Sequence, residues 1–154
     1  MVALILVAGF GARAADPIDS QKLPGRRPSA QEVAAADITV FPDGAGLPAG
    51  QATAREGRGV YDERCAACHG PKGSKPLLTV GSYWPYATTL WDYTRRAMPY
   101  QQPGSLTPNE VYAVTAYVLY LNGIVAEGAV LDQTTLPTIH MPNRDGFVPD
   151  PRRR

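Results

Sequence analysis

The sequence predicts an all-α domain over about residues 51–123, flanked by long irregular arms. Two observations carry this. Three stretches show helical periodicity with start or stop signals, and no βαβ pattern accompanies them. Fifteen Pro and fifteen Gly in 154 residues leave much of the remaining chain without regular structure. The length suits one domain, and 44% apolar residues suffice for a small core. A formal charge of +1, no basic stripe and only a short terminal Arg152-Arg153-Arg154 run exclude a nucleic-acid binder.

Residues 1–14 read as an export signal. Val2 to Ala8 is a short apolar core, and Ala12-Arg13-Ala14 has the small-x-small form of a cleavage site. The run is too short to span a bilayer, so the mature chain is expected to have no membrane span. Residues 15–50 are an extended arm. Pro17, Pro24, Pro28, Pro42 and Pro48 interrupt any long helix. Ser29-Ala30-Gln31-Glu32 can cap one short turn through Ala36. Ile38, Val40 and Phe41 are the residues that would dock if the arm is ordered.

The first helix of the domain runs from Thr53 to about Cys65, with Gly57, Val60 and Tyr61 on one face. Gly57 permits a close crossing by another helix. A second helix starts near Thr88 or Thr89 and runs to about Ala97, with Leu90, Tyr93, Thr94 and Ala97 inward and Asp92 and Arg95 outward. The last helix is the most strongly marked. Thr107 is its N-cap, Pro108 its first residue and Glu110 the other half of a capping box. Val111, Val114, Tyr117, Val118 and Leu121 form its apolar stripe, and Asn122-Gly123 ends it. This stripe is expected to cross the Gly57/Tyr61 face. Residues 124–154 form an irregular tail.

The chemistry sits where the first helix ends, at Cys65-Ala66-Ala67-Cys68-His69, which uses both cysteines of the chain. This C-x-x-C-H string is the form used to attach c-type haem. Two thiols add across the two vinyl groups, and the adjacent imidazole ligates the iron. Cys65 and Cys68 are thus the expected thioether positions and His69 the proximal ligand. A thioredoxin-like disulfide expects a βαβ setting that is missing here. A structural zinc needs four ligands, and His140 lies far from the motif. Export agrees with haem attachment, placing the protein in the periplasm.

Three further positions follow from that reading. The loop around Pro76 is expected to supply a carbonyl to the imidazole N–H. Trp84, in the aromatic cluster Tyr83-Trp84-Pro85-Tyr86, is expected to wall the haem pocket. Met98, just past a helix and followed by Pro99, is the expected sixth ligand, a soft thioether that raises the potential of a His-ligated haem. His140 and Met141 in the tail are the alternatives. With His69 and Met98 both on the iron no substrate could bind there, so the chain is an electron carrier with no catalytic residues. If Met98 is off the iron, the open position suits a haem enzyme or gas sensor.

Helix, C-x-x-C-H, helix before Met-Pro, and a capped C-terminal helix, in that order over about Ala52–Gly123, resemble a class I c-type cytochrome. Tyr83 to Leu90, Arg95-Arg96-Ala97-Met98-Pro99 and Met141 to Phe147 resemble the cytochrome subunit or domain that partners bacterial molybdenum sulfite and sulfur dehydrogenases. The resemblance implies one covalent haem c, a molybdenum-containing dehydrogenase subunit as electron donor and a downstream cytochrome as acceptor. It departs from sulfur-dehydrogenase cytochromes with two haem domains, since this chain has one motif. The arm and tail are expected to wrap the catalytic partner, because isolated apolar residues in proline-rich segments suit binding along a surface.

Overall fold

A computed structural model describes residues 25–73 and 79–152, which fall into two compact units divided between Ala36 and Asp37. The signal, the first part of the arm and Pro76 lie outside the described residues. In the first unit, α1 (Ala30–Ala36) is capped as its sequence suggests. The Ser29 N–H donates to the Glu32 carboxylate at 2.8 Å, and the Glu32 N–H donates back to Ser29 Oγ at 3.2 Å. Arg26 forks onto the same carboxylate, and its charge, with the Ser29 bonds, holds that acid down to about 2.

The second unit is built around two crossing helices, α2 (Ala54–Arg64) and α6 (Pro108–Leu121). Both start with a reciprocal Thr/Glu cap. Thr53 pairs with Glu56, and Thr107 with Glu110, so each helix satisfies two of its orphan N–H groups before its first turn ends. They meet where Gly57 lies against the Ala113 backbone, and Tyr61 packs on Tyr117 with ring centroids 5.2 Å apart. Between them in sequence come α3 (Ala66–His69), α4 (Thr79–Tyr83) and α5 (Ala87–Ala97). Among the described residues no helix is long and apolar enough to cross a membrane.

α5 buries more than the face expected. Leu90 and Thr94 face inward as predicted and line one cavity together with Tyr93, but Trp91 is wholly buried as well. The reason is packing on a third side: Trp91 meets Tyr112 of α6 at 5.4 Å, and Arg95 stacks over its outer face at 5.6 Å.

The arm and tail differ most from the extended picture. A two-stranded antiparallel sheet joins β1 (Gln51–Thr53) to β2 (Val130–Asp132), with Ala52 opposite Leu131. Val40 and Leu47 of the arm pack on the core, and the Tyr112 hydroxyl donates to the Pro48 carbonyl at 3.0 Å. Phe41, expected to dock beside Val40, is instead half exposed. In the tail, Leu131, Leu136 and Met141 are core residues. Segments 37–50 and 124–141 therefore cover the side of α6 that α2 does not, which explains why Tyr112, Thr115, Ala116 and Leu119 are buried as well as Val111, Val114 and Tyr117 of the predicted stripe, whose Val118 and Leu121 are partly buried.

Candidate functional site

The end of α2 and the turn of α3 bring the motif into one local arrangement. Cys65 closes α2, its N–H donating to the Tyr61 carbonyl at 2.9 Å. Its own carbonyl then accepts from the N–H groups of Cys68 at 3.1 Å and His69 at 2.9 Å. That single turn sets the two sulfurs three residues apart on one helical face, with the imidazole next to them. Cys65 and Cys68 are not joined in a disulfide, and burial pushes the Cys65 thiol up. Beyond His69 the chain turns sharply away, with Gly70 and Gly73 at φ 78° and 62°, a region glycine enters without strain. The Tyr61 hydroxyl fixes this turn by donating to the Gly70 carbonyl at 3.1 Å.

Cys65, Cys68, His69, Trp84 and Met98 all line one cavity of about 490 Å³. Val80, Leu90, Val114, Val118 and Leu121 contribute to its largely apolar wall. Met98 caps α5 in an extended conformation, its N–H still bonded to the Thr94 carbonyl at 3.0 Å. Trp84 is held edge-on against Tyr93, centroids 5.4 Å apart. The alternatives in the tail are placed elsewhere. Met141 is fully buried in the core, and His140 pairs with Tyr86 in an isolated bridge; neither lines the cavity. Pro76 lies outside the described residues.

Among the cavity residues that sequence reasoning missed are Arg64, Asn122 and Tyr61. Arg64 reads as a surface charge, yet it lines the cavity. Asn122 reads as a helix end, yet its Oδ1 accepts from the Gly81 N–H at 3.2 Å and so pins α4 to the end of α6. Tyr61 reads as a helix-crossing residue and serves the cavity wall as well. For Arg64 its place immediately before Cys65 was the available signal.

The family model described as cytochrome c oxidase, cbb3-type, subunit III matches residues 52–118. A solved chain of the sulfane dehydrogenase SoxCD from Paracoccus pantotrophus is similar at 35% identity with a TM-score of 0.76, covering 83% of this chain and 72% of that one. No match was found among curated proteins. The chain belongs to the c-type cytochromes. Its mostly helical unit has the class I cytochrome c fold, and the family's cofactor is covalently bound haem c.

The residues of this cytochrome fit that group. Two thiols and an imidazole on one turn adjoin a cavity walled by aliphatic and aromatic groups. That combination suits a large apolar ring tethered by two sulfurs, with soft or borderline donors for its iron.

Proposed function

We propose that this cytochrome is a monohaem electron carrier, with Cys65 and Cys68 as the thioether positions, His69 as the proximal ligand and Met98 as the distal one. Haem c, when bound, supplies a one-electron iron couple whose potential depends on its axial ligands. The rest falls to the protein. Cys65 and Cys68 fix the ring's attachment, and the α3 turn orients His69. Val80, Leu90, Val114 and Val118 keep water away, which tunes the couple through the local dielectric. Trp84 forms part of the same wall. If the Met98 thioether and the His69 imidazole both held the iron, no site for a substrate would remain.

The single observation behind this reading is that Cys65, Cys68, His69 and Met98, from two separate segments, line one apolar cavity while Met141 and His140 do not. The test is spectroscopic. The oxidised protein should show the weak long-wavelength charge-transfer band of sulfur-ligated ferric haem. Met98→Ala should abolish it and lower the potential, while Met141→Ala should preserve it. A band and potential indifferent to Met98→Ala would end the assignment.

The electron donor we infer is a molybdenum-containing dehydrogenase subunit acting on sulfite or bound sulfur, and the acceptor a downstream cytochrome in the periplasm. The 35% identity to a sulfane dehydrogenase chain supports this, as do the Tyr83–Leu90 and Met141–Phe147 strings. A tagged copy purified from its source cells should bring down stoichiometric molybdenum. Recovery of haem without molybdenum would leave a general carrier and remove the partner.

A further inference from the structure

The loop behind Met98 is tied to the domain from the other side of the cavity. From Pro99 to Ser105 its backbone bonds are local: Gln102 N–H to the Pro99 carbonyl at 2.8 Å, and Ser105 N–H to the Gln102 carbonyl at 3.3 Å. Tyr100 to Ser105 are all exposed, and the chain re-enters the core only at Leu106. Two turns of this kind do not by themselves fix where a loop sits. Two side-chain bonds reach it from α2. One Arg64 guanidinium nitrogen donates to Gln102 Oε1 at 3.2 Å and to Ser105 Oγ at 2.9 Å.

Arg64 is the last residue of α2 and the residue directly before Cys65. It is half-buried and lines the cavity together with Met98, Pro99 and Gln101. The same side chain therefore joins the segment carrying the two thiols to the segment carrying the thioether. A guanidinium suits this, because its nitrogens are held in one plane and less side-chain freedom is lost for each bond made.

We propose that Arg64 is a positioning residue that clamps the 99–105 loop and so sets how readily the Met98 sulfur is displaced. It touches neither reacting atom; it acts through Gln102 and Ser105. The inference rests on Met98 being the distal ligand. It adds that the closed state of the loop is held in part from the helix preceding the motif.

The experiment uses haem-loaded protein and imidazole as the competing ligand, titrated into the ferric form while the sulfur charge-transfer band is followed. Presence of the band in the unmodified protein, and its loss in Met98→Ala, first establishes the ligand itself. Arg64→Ala should then raise imidazole affinity about tenfold, the scale that loss of two exposed hydrogen bonds can supply. Gln102→Ala with Ser105→Ala should reproduce that rise with Arg64 in place. Adding Arg64→Ala to this pair should change little further, as expected for residues acting through one another. Arg64→Lys, which keeps the charge but places its one nitrogen on a shorter side chain, should rescue only partly. Unchanged imidazole affinity in Arg64→Ala would overturn the clamp. So would a silent Gln102/Ser105 pair, which would assign any Arg64 effect to its charge alone.

Discussion

Gly57 of α2 and the Ala113 carbonyl of α6 approach so closely that a side-chain carbon added at position 57 would overlap the carbonyl oxygen and press on Tyr117 Cβ, 2.9 Å away. The obstacle is mostly helix backbone, which cannot rotate aside as a flexible side chain can. Gly57→Ala should therefore force the helices apart and cost about 3 kcal/mol, the upper range for overpacking a core. Denaturant unfolding of the haem-loaded protein checks this. Gly59, with open space beside it, is the control, where alanine in a helix should be neutral or slightly stabilising.

Met141 separates a packing role from a ligand role. It is wholly buried, packed in the core cluster rather than along the cavity. Met141→Ala should destabilise the fold by about 2–5 kcal/mol through the cavity it leaves. Thermal unfolding should register the loss while the haem spectrum at room temperature stays as it was.

Tyr112 connects α6 to the arm through its bond to the Pro48 carbonyl. Tyr112→Phe should cost about 1 kcal/mol, the net worth of one such bond. Burial, followed by the nearby Asp132 charge, pushes this phenol up to about 12 from 10.0. A raised folded value means that the folded state holds its proton longer. The associated stability is complete below about pH 10 and is lost as pH climbs toward 12. Alkaline unfolding curves of wild type and Tyr112→Phe should therefore converge as pH rises through that window.

Asp132 governs the opposite limb. Its carboxylate accepts from the Thr134 hydroxyl at 2.7 Å and from the Thr135 and Thr134 N–H groups at 2.8 Å each. These bonds hold it down to about 2 from 3.8. The depressed value stabilises the fold above about pH 4, and that contribution disappears as pH falls toward 2. Asp132→Asn should flatten the acid dependence of stability across that window, measured by chemical denaturation at stepped pH.

What could be read from the chain alone depended on how local the determinant was. The α6 cap is written in four consecutive residues, Thr107 to Glu110, and the structure forms it. The Gly57/Tyr61 crossing followed from helical spacing. The cavity donors Cys65, Cys68 and His69 came from a five-residue string, and Met98 from its place at a helix end. The sheet between β1 and β2 could not be read this way. Three-residue strands leave too short an alternation to stand out, and their partners lie far apart in sequence. Missing that pairing also hid the second buried side of α6, and with it the part played by Leu131, Leu136 and Met141. Arg64 escaped for a similar reason: its partners Gln102 and Ser105 become neighbours only once α2 and the 99–105 loop are folded.

The pairing of Ala52 with Leu131 also sets an order of events. Folding cannot gain from closing so large a ring of chain until both ends are present. A polypeptide delivered from its amino end leaves the second side of α6 covered only by the 37–50 segment until Leu131, Leu136 and Met141 arrive. Those late residues finish the interior, so a product stopped at Gly123 would carry every proposed haem contact and still lack a complete fold.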